Sequence, residues 1–407
     1  MRLTRWSLTL TAAAMPLYIV RWHVGPLPTT LLESLILLSC ALYAVAVWRH
    51  HAPLPRRTPY DIPIAIFLLA GAIGIFVAPD HRAALGVYRA FLLEPVAIFY
   101  VANAVLRSTA DIRPVLIAGA VSACVYSLAV IVAFMSVYLG GHLVPSNAPG
   151  VFGINPNAVA LYLEPIAAVA LGFFLFAYSR QSRLMAAAVL VFVLPALVCT
   201  LSRGALLAGA VLALVAVLSV RDLRLRLGLL AAAIVGALAL SRVPFVAARL
   251  AHQLDPHYAT LALRLAIWKV TLRMLSDHPV FGAGISGYQT VMAHYRTRNL
   301  HPEPYAHNIF LTTWSEVGLI GMLAFAVILF GLMWRAWRSV DSARDMARPL
   351  LWGLFAAWVV FVVHGLVDSP YWKNDLSLEF WTLAAIEIVV IAAIQRNGKP
   401  ATREVAA

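Results

Sequence analysis

Apolar runs close to twenty residues long follow one another along almost the whole chain, parted by short segments rich in arginine, proline and glycine. A helix needs about 20 such residues to cross a bilayer. The runs are continuous rather than alternating with polar residues, which excludes a β-barrel. The pattern predicts membrane helices over 7–22, 29–48, 61–78, 84–106, 112–139, 156–178, 183–200, 203–220, 222–241, 306–335, 347–367 and 378–395. This is an all-α integral membrane protein of about twelve spans. One stretch, 242–305, breaks the rhythm for long. It divides the chain into helices 1–9 (residues 1–241), a large loop region with amphipathic helices (242–305), and helices 10–12 with a short tail (306–407). The first run imitates a signal peptide, with Ala12-Ala13-Ala14 as a cleavage zone. An uncleaved first helix is the preferred reading, because further spans follow at once.

Composition agrees. The 407 residues are 62% hydrophobic and 12% charged, too few charges to cover a water-facing surface. The formal net charge of +13 does not point to nucleic acid, because arginines in short loops set membrane orientation. With the N-terminus inside, nineteen of the 31 Lys and Arg residues fall in inner segments, whereas only Arg21, Arg82, Arg203 and Lys373 fall in short outer loops. Both termini are therefore expected in the cytoplasm, and the 242–305 loop, Arg203 and Asp368 on the outer side. Cys40, Cys124 and Cys199 all lie in apolar runs and read as small core hydrophobes. No repeat and no low-complexity tract is visible.

Chemistry concentrates on the outer side. Over 258–275, Leu261, Leu265, Trp268, Leu272 and Leu275 recur at spacings of 4, 3, 4 and 3, which predicts an amphipathic helix with Arg264 at the flank of its apolar stripe. Lys269 and Arg273 point away. Arg264 is a phosphate grip or a snorkelling structural arginine. His307 stands where the loop turns into a helix, beside Asn308, with Glu316 two turns on; imidazole suits proton transfer near neutrality. His252, His257, His278, His294 and His301 share the loop, and composition does not choose among the six. Arg203 follows Leu201-Ser202 at a helix start, where a cation is unfavourable unless an anion joins it. Arg89 and Glu94 lie inside a span, where a charge signals function or a structural ion pair, with Glu94 or Glu164 as the partner of Arg89. Gly282-Ala283-Gly284-Ile285-Ser286-Gly287 fits G-x-G-x-x-G, but a helix rather than a strand precedes it. A glycine turn, or a backbone nest for phosphate oxygens, is the better reading. No HExxH and no Cys/His spacing suggests zinc, no P-loop is present, and no cofactor is expected. A glycosidase-like carboxylate pair is not evident.

Chemistry outside the cytoplasm has no ATP or nucleotide sugar, so a transfer there needs a membrane-borne donor. Guanidiniums would neutralise a departing diphosphate. The runs Leu201-Ser202-Arg203-Gly204, Arg264 with Trp268, Asp277-His278-Pro279-Val280-Phe281-Gly282-Ala283-Gly284, Ala306-His307-Asn308 and Glu316-Val317-Gly318-Leu319-Ile320-Gly321 resemble the O-antigen ligase and polymerase family. Gly153-Ile154-Asn155-Pro156-Asn157 and His364 to Pro370 fit the same pattern; the order and spacing of the motifs carry the likeness more than any one of them. The resemblance implies a GT-C-like glycosyltransferase of the bacterial inner membrane with its site facing the periplasm. The donor would be a glycan on undecaprenyl pyrophosphate and the acceptor the lipid A–core of lipopolysaccharide, joined with inversion and without a metal. His307 would be the base, and Arg203, Arg264, Arg89 and Asp368 would bind substrate. The long loop favours a ligase over a polymerase. A protein O-oligosaccharyltransferase and a polytopic transporter are the alternatives; the transporter lacks repeat symmetry.

Overall fold

In the computed structural model, which describes residues 1–25, 27–143, 148–248, 260–297 and 300–397, the apolar runs form helices, several of which begin at a side-chain cap. In chain order these are α1 (Arg2–Ala13), a 3-10 turn (Met15–Ile19), the hairpin β1 (Arg21–Val24) and β2 (Leu27–Thr30), α2 (Leu31–Trp48), α3 (Asp61–Val77), α4 (His81–Tyr88) and α5 (Glu94–Val105). Then come α6 (Thr109–Leu139), α7 (Pro156–Phe176), α8 (Arg180–Cys199), α9 (Arg203–Ser219), α10 (Leu223–Arg242), α11 (Thr260–Asp277), α12 (Tyr288–Met292), α13 (Ile309–Val340), α14 (Ala347–Gly365) and α15 (Asn374–Asn397). Among the described residues nine helices are long and apolar enough to cross a membrane, α4 and α5 counting as one, and α3 and α9 are shorter apolar helices.

The run at 7–22 departs from its expected continuous span. Its helix stops at Ala13, and Pro16, which has no N–H to continue a helix, sits in the 3-10 turn. The chain then enters an antiparallel hairpin pairing Arg21 with Thr30, an element the apolar pattern does not announce. The span at 84–106 is interrupted by a π turn over Arg89–Leu93.

The bundle is centred on α7 and α14. Their backbones meet at glycines: a Cβ on Gly172 would stand 2.5 Å from the Pro349 carbonyl oxygen, and one on Gly353 2.6 Å from Val169 Cα. Small residues permit such close crossings, the main source of helix attraction in lipid. By contrast, α10 packs on α9 and buries none of its residues.

The loop glycines and the break in α13 form one joint. Gly318 adopts φ 73°, a left-handed conformation inside a long helix. The break frees the Ser315 carbonyl, which accepts the Ala283 N–H at 2.7 Å, while Leu319 N–H reaches the Val280 carbonyl at 3.0 Å. Ile285 N–H goes to Gly74 at the end of α3, and Ser286 N–H to the buried Glu316 carboxyl at 2.5 Å. Backbone exposed at membrane depth must be satisfied by protein. The G-x-G-x-x-G segment does this, and the N–H groups of Gly282, Ala283, Ile285, Ser286 and Gly287 are engaged by the protein itself. Its fit to the dinucleotide pattern is a packing device, and the glycine-turn reading holds.

Two polar clusters lie a helix length apart. At one end Arg5 pairs with Asp111 at 2.5 Å, Arg56 donates to the Asn103 and Leu106 carbonyls, and Arg396 donates to the Arg107 carbonyl. Every cation in this group belongs to a segment assigned to the inner side by charge. From Arg396, α15 runs back about 30 Å to the end that holds Asn157, Arg264, His307 and Asp368.

Candidate functional site

Two chain segments bring His307 and Arg203 to the site through strained and capped turns. Asn308 caps α13, its side chain accepting from the Phe310 and Leu311 N–H groups and donating to the Leu366 carbonyl at 3.0 Å. The residue before it, His307, is held at φ 50°, a left-handed conformation uncommon in residues other than glycine. Leu201 has φ 49° ahead of Ser202, which caps α9 so that Arg203 is its first residue. Such strain is characteristic of functional sites.

Helix α11 brings Arg264, but with a different face inward from the one expected. Ile267, Thr271, Met274 and Leu275 are buried, whereas Leu265 and Leu272 are about half exposed. The apolar stripe is thus misplaced by the leucine spacing, and the Leu261 side chain is not among those described. The inward face includes Arg264 and Trp268. Trp268 Nε1 donates to the Ala306 carbonyl at 3.1 Å and Arg264 Nη1 to the His307 carbonyl at 3.4 Å. Lys269 and Arg273 are exposed, as expected. Behind α11, Tyr288 and Met292 of α12 complete a small apolar core, and Thr271 shares a 2.7 Å hydrogen bond with the Tyr288 hydroxyl.

Asp368 is the hub. It is 1% exposed and receives His307 Nδ1 at 3.3 Å, the Asn157 amide at 3.3 Å and the Ser369 N–H at 2.9 Å. Arg264 Nη2 stands 3.7 Å away. Burial works to raise the Asp368 carboxyl, but the hydrogen bond and charge of His307, with His364 and Arg264, outweigh it and hold the group below its usual range. On the other edge of the imidazole, Nε2 is 3.4 Å from Oε2 of Glu303, a carboxylate that is partly open to solvent where Asp368 is buried. Tyr305 packs its ring 4.5 Å from that of His307, and burial together with Asp368 raises its phenol. In the tautomer that donates from Nδ1 to Asp368, Nε2 is the atom free to accept a proton.

Arg203 joins this group by charge. Its guanidinium feels that of Arg264, and its Nε is buried with no hydrogen-bond partner. Arg89 does not join by any contact among the described residues. It is held by Glu33 at 2.7 Å and Glu94 at 3.2 Å, with Asn374 on the second Glu33 oxygen. The ion pair with Glu94 was one of the sequence alternatives; Glu33 was not foreseen, because 56 residues separate it from Arg89. Glu164 pairs with His364 instead. Of the six loop histidines, His252 and His257 lie outside the described residues. Asn157, Glu303 and Tyr305 were missed as site residues, although Asn157 belongs to a motif already noted. A cavity of about 430 Å³ lies elsewhere, among α1, α6, α7, α8 and α15, and none of the five candidate residues lines it. Among the described residues no group of three or more His, Cys, Asp or Glu is arranged to hold a metal ion.

No curated protein matches the chain. Residues 188–326 match the family model described as O-antigen ligase, a segment that contains Arg203, Arg264 and His307 but neither Asn157 nor Asp368. The match covers about a third of the 407-residue chain, and through this segment the protein, a multi-helix membrane protein, is similar to the O-antigen ligase family.

Proposed function

We propose that the protein is an O-antigen ligase-type glycosyltransferase of the bacterial inner membrane. It moves a glycan from undecaprenyl pyrophosphate to the lipid A–core of lipopolysaccharide on the periplasmic side, with inversion and without a metal. One observation carries the reading: an imidazole held on Nδ1 by a buried carboxylate, with Arg264 against both and Arg203 within reach of its charge.

In this reading His307 Nε2 takes the proton from the acceptor hydroxyl as the oxygen attacks the anomeric carbon. Asp368 fixes the tautomer and stabilises the imidazolium that forms, which makes it an orienting group rather than a substrate grip. The sugar–oxygen bond to the diphosphate breaks, and Arg203, Arg264 and the N-terminus of α9 hold the departing pyrophosphate. Glu303 occupies the approach to Nε2 through a contact that an acceptor hydroxyl displaces. Arg89 would serve substrate only by leaving Glu33 and Glu94.

The test is reconstitution of the purified protein with a polyprenyl pyrophosphate-linked glycan and lipid A–core. Transfer by the wild type, in EDTA as well as without it, and its loss by a factor of about 10²–10⁴ in His307→Ala support the reading. Full transfer by His307→Ala removes the base, and loss with EDTA restored by a divalent ion removes the metal-free step. In cells, deletion should leave bare core with lipid-linked polymer accumulating; core carrying one repeat unit would instead identify a polymerase.

A further inference from the structure

The mechanism above leaves a buried acid–imidazole pair unused. Glu164 and His364 are 4% and 1% exposed, and His364 Nδ1 lies 2.8 and 3.0 Å from the two Glu164 oxygens. Glu164 stands seven residues after Asn157 on α7, so both face the same side of the helix. That side meets α14 and the turn after it, where His364 and Asp368 stand. The site therefore has two storeys: Asn157, Asp368 and His307 above, and Glu164 with His364 beneath.

We propose that Glu164 and His364 form a positioning pair that sets the reach of Arg203. The Nδ1–H donation to Glu164 fixes the rotation of the His364 ring. The opposite edge of that ring, Nε2 and Cδ2, rests against Gly204, where any Cβ would overlap it. Gly204 is the second residue of α9 and Arg203 the first, so the imidazole is the seat of the helix start. Arg203 has no carboxylate partner among the described residues, and its Nε is unbonded; its place is set by its backbone. The same His364 carbonyl accepts the N–H groups of Val367 and Asp368 at 3.0 and 2.9 Å, beginning the turn that aims Asp368 at His307. One residue thus ties the two together, its ring seating the anion grip and its backbone carbonyl starting the turn of the orienting carboxylate. The glycine in Leu-Ser-Arg-Gly is required by this contact, since the backbone at Gly204 is ordinary helix.

This inference rests on Arg203 as a pyrophosphate ligand, and the experiment separates the two. Binding of farnesyl pyrophosphate to full-length protein in nanodiscs is measured beside donor KM and kcat, with thermal unfolding as a check on folding. Gly204→Ala and His364→Phe should each weaken binding and raise donor KM by about tenfold, the scale of one contact to a charged group. Glu164→Gln, which still offers Nδ1–H an acceptor, should keep more affinity than Glu164→Ala. In the background of Arg203→Ala, adding Gly204→Ala should weaken binding no further, because both remove the same contact. If Gly204→Ala and the folded Glu164 variants bind as the wild type does, or if the two losses multiply, the positioning role is wrong while the Arg203 assignment stands. If the wild type itself does not bind farnesyl pyrophosphate, the Arg203 assignment fails and takes this inference with it.

Discussion

At the scale of the residue, the site depends on charges held where lipid and protein would otherwise exclude them. Arginine suits a diphosphate because its fork presents two parallel donors, which lysine lacks. Arg203→Lys should therefore raise donor KM yet retain more transfer than Arg203→Ala. Arg264→Lys should be more damaging, because Arg264 also donates to the His307 carbonyl and faces Asp368; kinetics of the three variants check this. Asp368 gives a linkage prediction. Its carboxyl lies below the ordinary value of 3.8 in the folded protein. Its charge therefore stabilises the fold above that value and ceases to do so as pH falls through the folded value. The difference in unfolding temperature between wild type and Asp368→Asn should be full at pH 7 and shrink below pH 3.8. A difference that does not change with pH would mean that the charge of Asp368 is not what stabilises the fold.

At the scale of the element, the informative features are interruptions of regular helix. The break at Gly318 and the glycine segment 282–287 satisfy each other's backbone, and Glu316 closes the joint on Ser286. A Cβ at Gly318 would need a left-handed conformation and would strike the Val280 carbonyl. Gly318→Ala should destabilise the protein by about 1–3 kcal/mol, read as a lower unfolding temperature in detergent. Gly119→Ala, at a helical glycine with open space around it, is the control and should be nearly neutral. The π turn at Arg89 belongs to the same class of feature, since such bulges gather at functional positions. Here it carries the arginine held between Glu33 and Glu94.

At the scale of the whole molecule, the distribution of basic residues and the spatial clustering agree. Arg5, Arg56, Arg107 and Arg396 meet at one end, and the candidate site forms at the other. If the proposed orientation is right, a cysteine at exposed position 294 should react with an impermeant maleimide in spheroplasts. One at exposed position 341 should react only after the membrane is opened. The reverse pattern would place His307 in the cytoplasm and end the case for a periplasmic transferase.

The sequence by itself determined the membrane class, the positions of most apolar helices to within a few residues though not the run at 7–22, and His307, Arg203 and Arg264 as candidates. Hydrophobic length and charge bias are local properties of the chain, so they can be read without knowing which helices touch. It misjudged the inward face of α11, because leucine spacing reports amphipathicity but not whether lipid or protein covers each side. It also could not choose a partner for Arg89 or for Glu164, nor give Asp368 its place beside His307. Those pairings join residues 56 to 211 positions apart. They exist only where separate helices are packed side by side, among them α7 and α14, which cross at glycine contacts, and such packing is decided in three dimensions.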